Sequence, residues 1–313
     1  MKIRINQNGF SSHLFIGAFL LILFIGAAGY YVYMSNNNKI SNKSSKLNDY
    51  YWMITEGQLG KMINSGLSPA LQNYFFNNSH TLLIINKQSV LDSKFPKALK
   101  VKNYTSEAQI ASDSETGFPS GLSYIAYDGE SWAQTPENEQ HCPIDYAEKA
   151  KAIVNQKGLG FIYTPAINLS LKLNNSTNCK TVLNTSKKYS ISGAAPKYAA
   201  FLNQNFAGLA APNSDIFEIQ AQQLEPNSAG FNYFSSIATD QANQATRKKV
   251  PILIGLTTDD SAQTMTLQEL TDAYNGTKSF ASGYWLNIPA TGTPNPDLAV
   301  SFLQEVYKLQ ANH

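Results

Sequence analysis

Eight short apolar runs, most of them followed by a stretch of helical periodicity, constrain this 313-residue chain more than any other feature of it. The runs are YWMIT (51–55), TLLIIN (81–86), ALKVKNY (98–104), LSYIAYD (122–128), LGFIYT (159–164), IFEIQAQ (216–222), PILIGLT (251–257) and GYWLNI (283–288). Each has the length and the β-branched or aromatic content of a strand. Between them, 145–158 closes on a glycine that suits a helix C-cap. Segment 231–249 spaces Phe231, Phe234, Ile237, Ala238 and Ala242 at helical intervals. Segment 295–310 opens with Asn295 as N-cap and Pro296 in the first turn, and gathers Leu298, Phe302, Leu303, Val306 and Leu309 on one face. Strand alternating with helix eight times over about 260 residues predicts an α/β chain folded as a (β/α)8 barrel of the TIM type. A doubly wound open sheet is the runner-up, and the length and the strand count favour the barrel.

The barrel is expected to be preceded by one transmembrane helix. Leu14–Met34 is apolar, carries no Asp, Glu, Lys or Arg, and is about long enough to span a bilayer. Tyr30, Tyr31 and Tyr33 lie at its far end, where amphipathic rings favour the interface. A cleaved leader is the other reading, and the small residues from Gly26 to Gly29 suit it, but its apolar core is usually shorter. Lys2 and Arg4 hold the N-terminus inside, while Lys39, Lys43 and Lys46 pull the other way. The expected organisation is a short cytoplasmic N-terminus (1–13), a signal anchor (14–34), a polar linker rich in Asn, Ser and Lys (35–49) and an extracytoplasmic barrel (50–313). The expected location is therefore the cell membrane, with a single pass.

Net charge is only +2 and no basic block interleaves with aromatics, so nucleic acid is not expected as a partner. Charged residues make up just 15% of the chain, and the Asn-, Ser- and Thr-rich remainder fits an extracellular surface. Cys142 and Cys179 are the only cysteines. In a barrel, one follows the fourth strand and the other sits in the long polar stretch 166–195 after the fifth. A bridge between them would tie two rim loops together and contribute roughly 3–4 kcal/mol on the chain-entropy view; two separate thiols are the alternative. The stretch 166–195 lacks helical periodicity and is expected to overhang the strand C-termini as a loop. The histidines are scattered, and there is no Gly-rich phosphate loop and no G-x-S-x-G elbow. No metal and no cofactor is expected, and a serine hydrolase is disfavoured.

Strand phase locates the chemistry, because alternate residues face opposite sides. In the fourth run Tyr124, Ala126, Asp128 and Glu130 share one side, while Ser123, Ile125 and Tyr127 share the other. If the apolar side meets the helices, Asp128 and Glu130 hang into the barrel mouth, where barrel active sites lie. In the sixth run the same logic turns Glu218, Gln220 and Gln222 inward, and in the eighth Trp285 and Asn287. Sugar rings stack on indoles, and amides hydrogen-bond to hydroxyls. The expected ligand is therefore a carbohydrate, contacted by Trp132, Tyr163, Glu218, Gln220, Gln222, Trp285 and Asn287. Structural readings stand beside these. Asp128 and Glu130 would cap the next helix or bind a rim lysine, Glu218 would pair with Lys87, Trp285 would be core, and Trp132 would pack under its loop. Thr135 reads as the N-cap of a helix beginning at Pro136–Glu139.

A fourth strand ending in Asp128-x-Glu130, together with Trp285 on the eighth, resembles the family 18 glycoside hydrolases, the chitinase-like barrels. The resemblance implies that Glu130 is the general acid/base. It makes Asp128 the neighbour that orients the substrate N-acetyl group and raises the proton affinity of Glu130, in a substrate-assisted variant of the two-carboxylate scheme. It also matches Gln220 to a polar residue on the family's sixth strand, and Trp285 to the floor of its sugar site. Two departures accompany it. Ser123 and Ala126 stand where the family carries further acids, and the sixth strand lacks the family's Tyr-Asp pair. The implied function is hydrolysis of an N-acetylated or other cell-envelope glycan; the alternative is a catalytically inactive glycan- or envelope-binding barrel.

Overall fold

In a computed structural model the eight runs form one closed, all-parallel barrel in which each strand pairs with the next and β8 returns to β1. The structure describes residues 50–85, 93–173, 179–181, 188–246, 249–259, 265–289 and 294–311. The expected anchor (14–34) and linker (35–49) lie outside these residues. Among the described residues no helix is long and apolar enough to cross a membrane.

In chain order the first half of the barrel comprises β1 (Tyr51–Thr55), α1 (Glu56–Asn64), α2 (Pro69–Phe76), β2 (Thr81–Ile84), β3 (Leu99–Tyr104), α3 (Glu107–Thr116), β4 (Tyr124–Tyr127), α4 (Glu137–His141) and α5 (Pro143–Gln156). The second half comprises β5 (Gly160–Tyr163), α6 (Leu169–Lys172), α7 (Pro196–Asn203), α8 (Phe206–Ala210), β6 (Ile216–Ile219), α9 (Ser228–Ala245), β7 (Ile252–Thr257), α10 (Leu267–Thr277), β8 (Gly283–Asn287) and α11 (Pro296–Ala311). Side-chain caps stop several helices from fraying. Thr55 and Thr266 close capping boxes on α1 and α10. Asn295 accepts from the Leu298 N–H at 3.0 Å at the start of α11.

The strands bury both faces. Outward residues such as Trp52, Tyr127, Tyr163, Phe217 and Tyr284 pack under the helices and are fully buried. Inward residues form an apolar plug that includes Met53, Leu82, Val101, Ala126, Ile162, Leu253 and Trp285. Above this plug, towards the strand C-termini, the inward face becomes polar.

Three expectations need correction. Thr135 does not cap the helix after β4: Pro136 occupies the N-cap of α4 without a side-chain bond. The Thr135 hydroxyl donates instead to the Thr105 carbonyl at 2.7 Å and accepts from Glu130 N–H and Trp132 Nε1. It therefore ties the β3 and β4 loops together. The stretch 166–195 is not free of helix, since Leu169–Lys172 form the single turn of α6. The sixth strand ends at Ile219 rather than at 222, because Gln222–Leu224 turn into a 3-10 helix. The rim bridge is present: Cys142 and Cys179 form a disulfide with Cα atoms 5.4 Å apart.

Candidate active site

The polar end of the barrel opens into a cavity of about 390 Å³, whose walls include Glu130, Lys197, Gln220, Gln222, Asp259 and Asn287. Strand phase puts most of these groups there. Asp128 and Glu130 follow β4 in the inward register of Ala126, Gln220 follows β6, and Asn287 ends β8.

Asp128 sits just behind the cavity wall and is 7% exposed. It accepts from Asn103 Nδ2, Thr164 Oγ1 and Gln220 Nε2, each at 3.3 Å. Burial raises its proton affinity, and these three donors oppose the rise; the balance is a pKa of about 6. Gln220 is fixed in turn, because its Nε2 also donates to the Thr164 carbonyl at 2.9 Å. Glu130 lies on the wall itself, with its backbone N–H held by Thr135 Oγ1 at 3.1 Å. Burial and the neighbouring Asp128 lift its pKa to about 7, while the Lys197 ammonium pulls it down. The two carboxyls are thus both lifted above the usual carboxylate range, to about 6 and about 7.

Glu218 is deeper. It is 0% exposed, and burial followed by the charges of Asp128 and Glu130 pushes its carboxyl well above the usual range. Lys87, its suggested partner, lies outside the described residues. Trp285 belongs to the apolar plug, 9% exposed, at the base of the polar layer. Asn287 Oδ1 accepts from Gln58 Nε2 at 2.5 Å, which pins the β8 end to α1.

Two expected contact residues stand apart. Tyr163 points outward, not into the mouth. It stacks on Tyr127 and donates its hydroxyl to the Pro143 carbonyl at 3.1 Å, fully buried under α5. The inward register of β5 belongs to Gly160, Ile162 and Thr164, one residue out of phase with the expectation. Trp132 sits on the rim loop after β4, 37% exposed, with its indole N–H on Thr135, and is not part of the cavity wall.

Sequence reasoning missed Lys197, Asn103 and Thr164. The last two were within reach of strand phase, because Asn103 follows Val101 inward on β3 and Thr164 follows Ile162 on β5. Lys197 lies at the start of α7 after the long rim segment, where no strand phase points to it. Its Nζ donates to Gln223 Oε1 at 2.6 Å.

No family model matches the chain, and no curated protein matches it. Solved structures similar to it include a chitinase from Chromobacterium violaceum, with a TM-score of 0.43 and 10% identity, covering 82% of this chain and 99% of the chitinase chain. Another is 2,3-dimethylmalate lyase, a PEP mutase/isocitrate lyase superfamily member, with a TM-score of 0.37 and 11% identity, covering 89% of this chain and 87% of that one. Neither similarity assigns a role to a residue of this chain.

Proposed function

We propose that this chain is a membrane-anchored, extracytoplasmic, glycoside-hydrolase-like barrel that acts on an N-acetylated or other cell-envelope glycan by acid/base catalysis. The observation that carries the reading is Glu130. It is a carboxyl on the wall of a cavity at the strand C-termini, kept partly protonated near neutrality by burial and by the adjacent, three-fold hydrogen-bonded Asp128. A general acid needs such a proton affinity to hold its proton and still release it at working pH. In the proposed step Glu130 gives its proton to the glycosidic oxygen as the bond to the anomeric carbon breaks. The acetamido oxygen of the same sugar closes on that carbon, with Asp128 orienting the acetamido group. Glu130, now a carboxylate, then takes a proton from the water that reopens the ring. The Cys142–Cys179 bridge supports an oxidising compartment, and with it a barrel outside the cytoplasm, tethered through 14–34 and the 35–49 linker.

One observation favours the second reading, an inactive glycan-binding barrel. Ala126 is buried in the apolar plug, so the β4 layer beneath Asp128 holds no further acid. Turnover of N-acetylchitotetraose by the full chain separates the two. The enzyme reading expects Glu130→Gln to lower kcat/KM by about 10³-fold, within the usual range for a general acid. A wild type without turnover removes that reading. Calorimetry with the same tetrasaccharide then tests binding, and no heat of binding removes the second reading as well.

A further inference from the structure

The cavity holds one cation that no step of the proposed chemistry uses. Lys197 is the only basic residue on its wall among the described residues, and it is near enough for its charge to act on Glu130. Its backbone is fixed, because its carbonyl accepts from the buried Ser170 hydroxyl at 2.9 Å. Its side chain is half-buried and fixed as well. The ammonium lies 5.3 Å from the centre of the buried Tyr198 ring and donates to Gln223 Oε1 at 2.6 Å. Gln223 is also part of the cavity wall, and it is exposed.

Charge compensation does not account for this placement. Glu130 and Asp259 stand on the same wall, yet Lys197 makes no ion pair with either within 4.0 Å. Its side chain is held against a neutral amide instead. An ammonium has only donors, so the amide atom that faces it is the oxygen. The Gln223 Nε2, on the same carbon, is left to donate, and it makes no hydrogen bond among the described residues. The ammonium also has donors to spare. The wall therefore presents two adjacent sets of N–H donors, one of them charged. Sugar hydroxyls are answered by neutral amides, and need no such charge. The group that answers a charged pair of donors is a carboxylate, whose two oxygens accept side by side.

We propose that Lys197 and Gln223 form a carboxylate-binding corner of the cavity, so that the ligand is an acidic N-acetylated glycan with a carboxylate close to the linkage that Glu130 protonates. The proposal deepens the glycan reading and rests on it for the rest of the ligand. A uronate ring and a lactyl ether on an N-acetylated sugar both supply such a carboxylate. Lys197 is then a specificity-determining residue, and the rim segment after β5, tied down by the Cys142–Cys179 bridge, carries the group that selects ligand charge.

The test is calorimetry of the full chain with three tetrasaccharides. N-acetylchitotetraose is neutral, a second alternates N-acetylglucosamine with glucuronate, and a third alternates N-acetylglucosamine with its lactyl ether. At least one acidic tetrasaccharide is expected to bind about 10-fold or more tighter than the neutral one, and the one that does so identifies the source of the carboxylate. Lys197→Met keeps the length and loses the charge, and is expected to bring that preference to within about threefold. Lys197→Gln replaces the methionine variant if that does not fold. A wild-type preference below about 10-fold overturns the proposal and leaves the glycan reading in place. So does a preference that the loss of the charge leaves above about threefold. A wild type that binds none of the three removes the glycan reading. Titration of the chain with sodium glucuronate, followed by NMR of isotope-labelled lysines, then decides alone. A saturable shift of the Lys197 ammonium signal, assigned by its absence from Lys197→Met, sustains the carboxylate corner, and no shift overturns it.

Discussion

Two buried glutamates lie on opposite sides of the barrel wall. Glu139, on α4 between the outer face of the strands and α3, is 1% exposed. Its carboxylate accepts from the Glu107 N–H at 2.7 Å, the Ala108 N–H at 3.2 Å and the Tyr127 hydroxyl at 2.8 Å. Glu218, inside the barrel, is at least as deeply buried and has no hydrogen-bond partner for either oxygen among the described residues. Glu139 satisfies the free N–H groups of a helix N-terminus and clamps that helix to β4. Glu218 meets no such group among the described residues. Neighbouring residues on β4 make the same division: Tyr127 turns outward to Glu139, and Asp128 turns inward to the mouth. Burial alone therefore does not tell these two glutamates apart; the occupancy of their lone pairs does.

The sharpest way to break this contrast is to make the same change at both sites. Glu139→Gln halves the acceptor capacity and removes the charge facing the α3 N-terminus. It is expected to cost about 2–4 kcal/mol of unfolding free energy, the range for losing charge-assisted bonds and stranding buried donors. Glu218→Gln is expected to change stability by less than about 1 kcal/mol, since no bond is lost. Urea unfolding of the two variants measures both. Equal losses at the two sites would dissolve the distinction.

The pH dependence of stability gives a smaller effect with a definite sign. Asp128 is raised to about 6 and Glu130 to about 7, and Glu218 is raised as well, each chiefly by burial. The folded state therefore holds these protons more tightly than the unfolded chain does. The favourable contribution of Asp128 and Glu130 is complete below the unfolded values near 4 and is lost as pH rises through 6 and 7. The 7%-exposed Asp128 alone accounts for an expected loss of roughly 2 kcal/mol between pH 4 and pH 7. Asp128→Asn should make that slope shallower in urea midpoints taken across the range. An unchanged slope in Asp128→Asn would assign it to other groups.

Much of the barrel was legible because its determinants are local. Eight apolar runs became eight strands, even the polar third run, whose Leu99 and Val101 reach the interior while its lysines face out. Strand phase correctly turned Asp128, Gln220, Trp285 and Asn287 inward. It failed where the chain leaves the strand. Gln222 reaches the cavity from a 3-10 turn rather than by alternation, and Lys197 arrives on a helix after a long rim segment. Tyr163 was misassigned because an aromatic at a strand end suits either face; only the neighbouring Gly160, Ile162 and Thr164 fix the parity. Glu139 was illegible for a different reason. Its partners come from two segments 12 and 32 residues away, and nothing in its own neighbourhood marks it as a clamp. Gly255 did carry a readable signal, since an isolated glycine inside a strand run often marks a close approach.

That glycine offers the smallest perturbation of the fold and a selective one of the site. A Cβ at Gly255 would meet only the far ends of two side chains, Glu218 and Gln222, and no backbone atom is among its three nearest contacts. Both ends can move aside, and alanine also restricts the unfolded chain more than glycine does. Gly255→Ala is therefore expected to shift stability by no more than about 1 kcal/mol in either direction. Its methyl group nevertheless displaces the Glu218 carboxyl and the Gln222 amide. Because Gln222 lines the cavity, tetrasaccharide affinity should fall several-fold in calorimetry while the urea midpoint barely moves. The reverse pattern, intact affinity with a large loss of stability, would mean that the glycine serves the packing of the plug. The interior glutamate would then have to be grouped with Glu139 as a structural residue, its partners supplied by the rearranged interior.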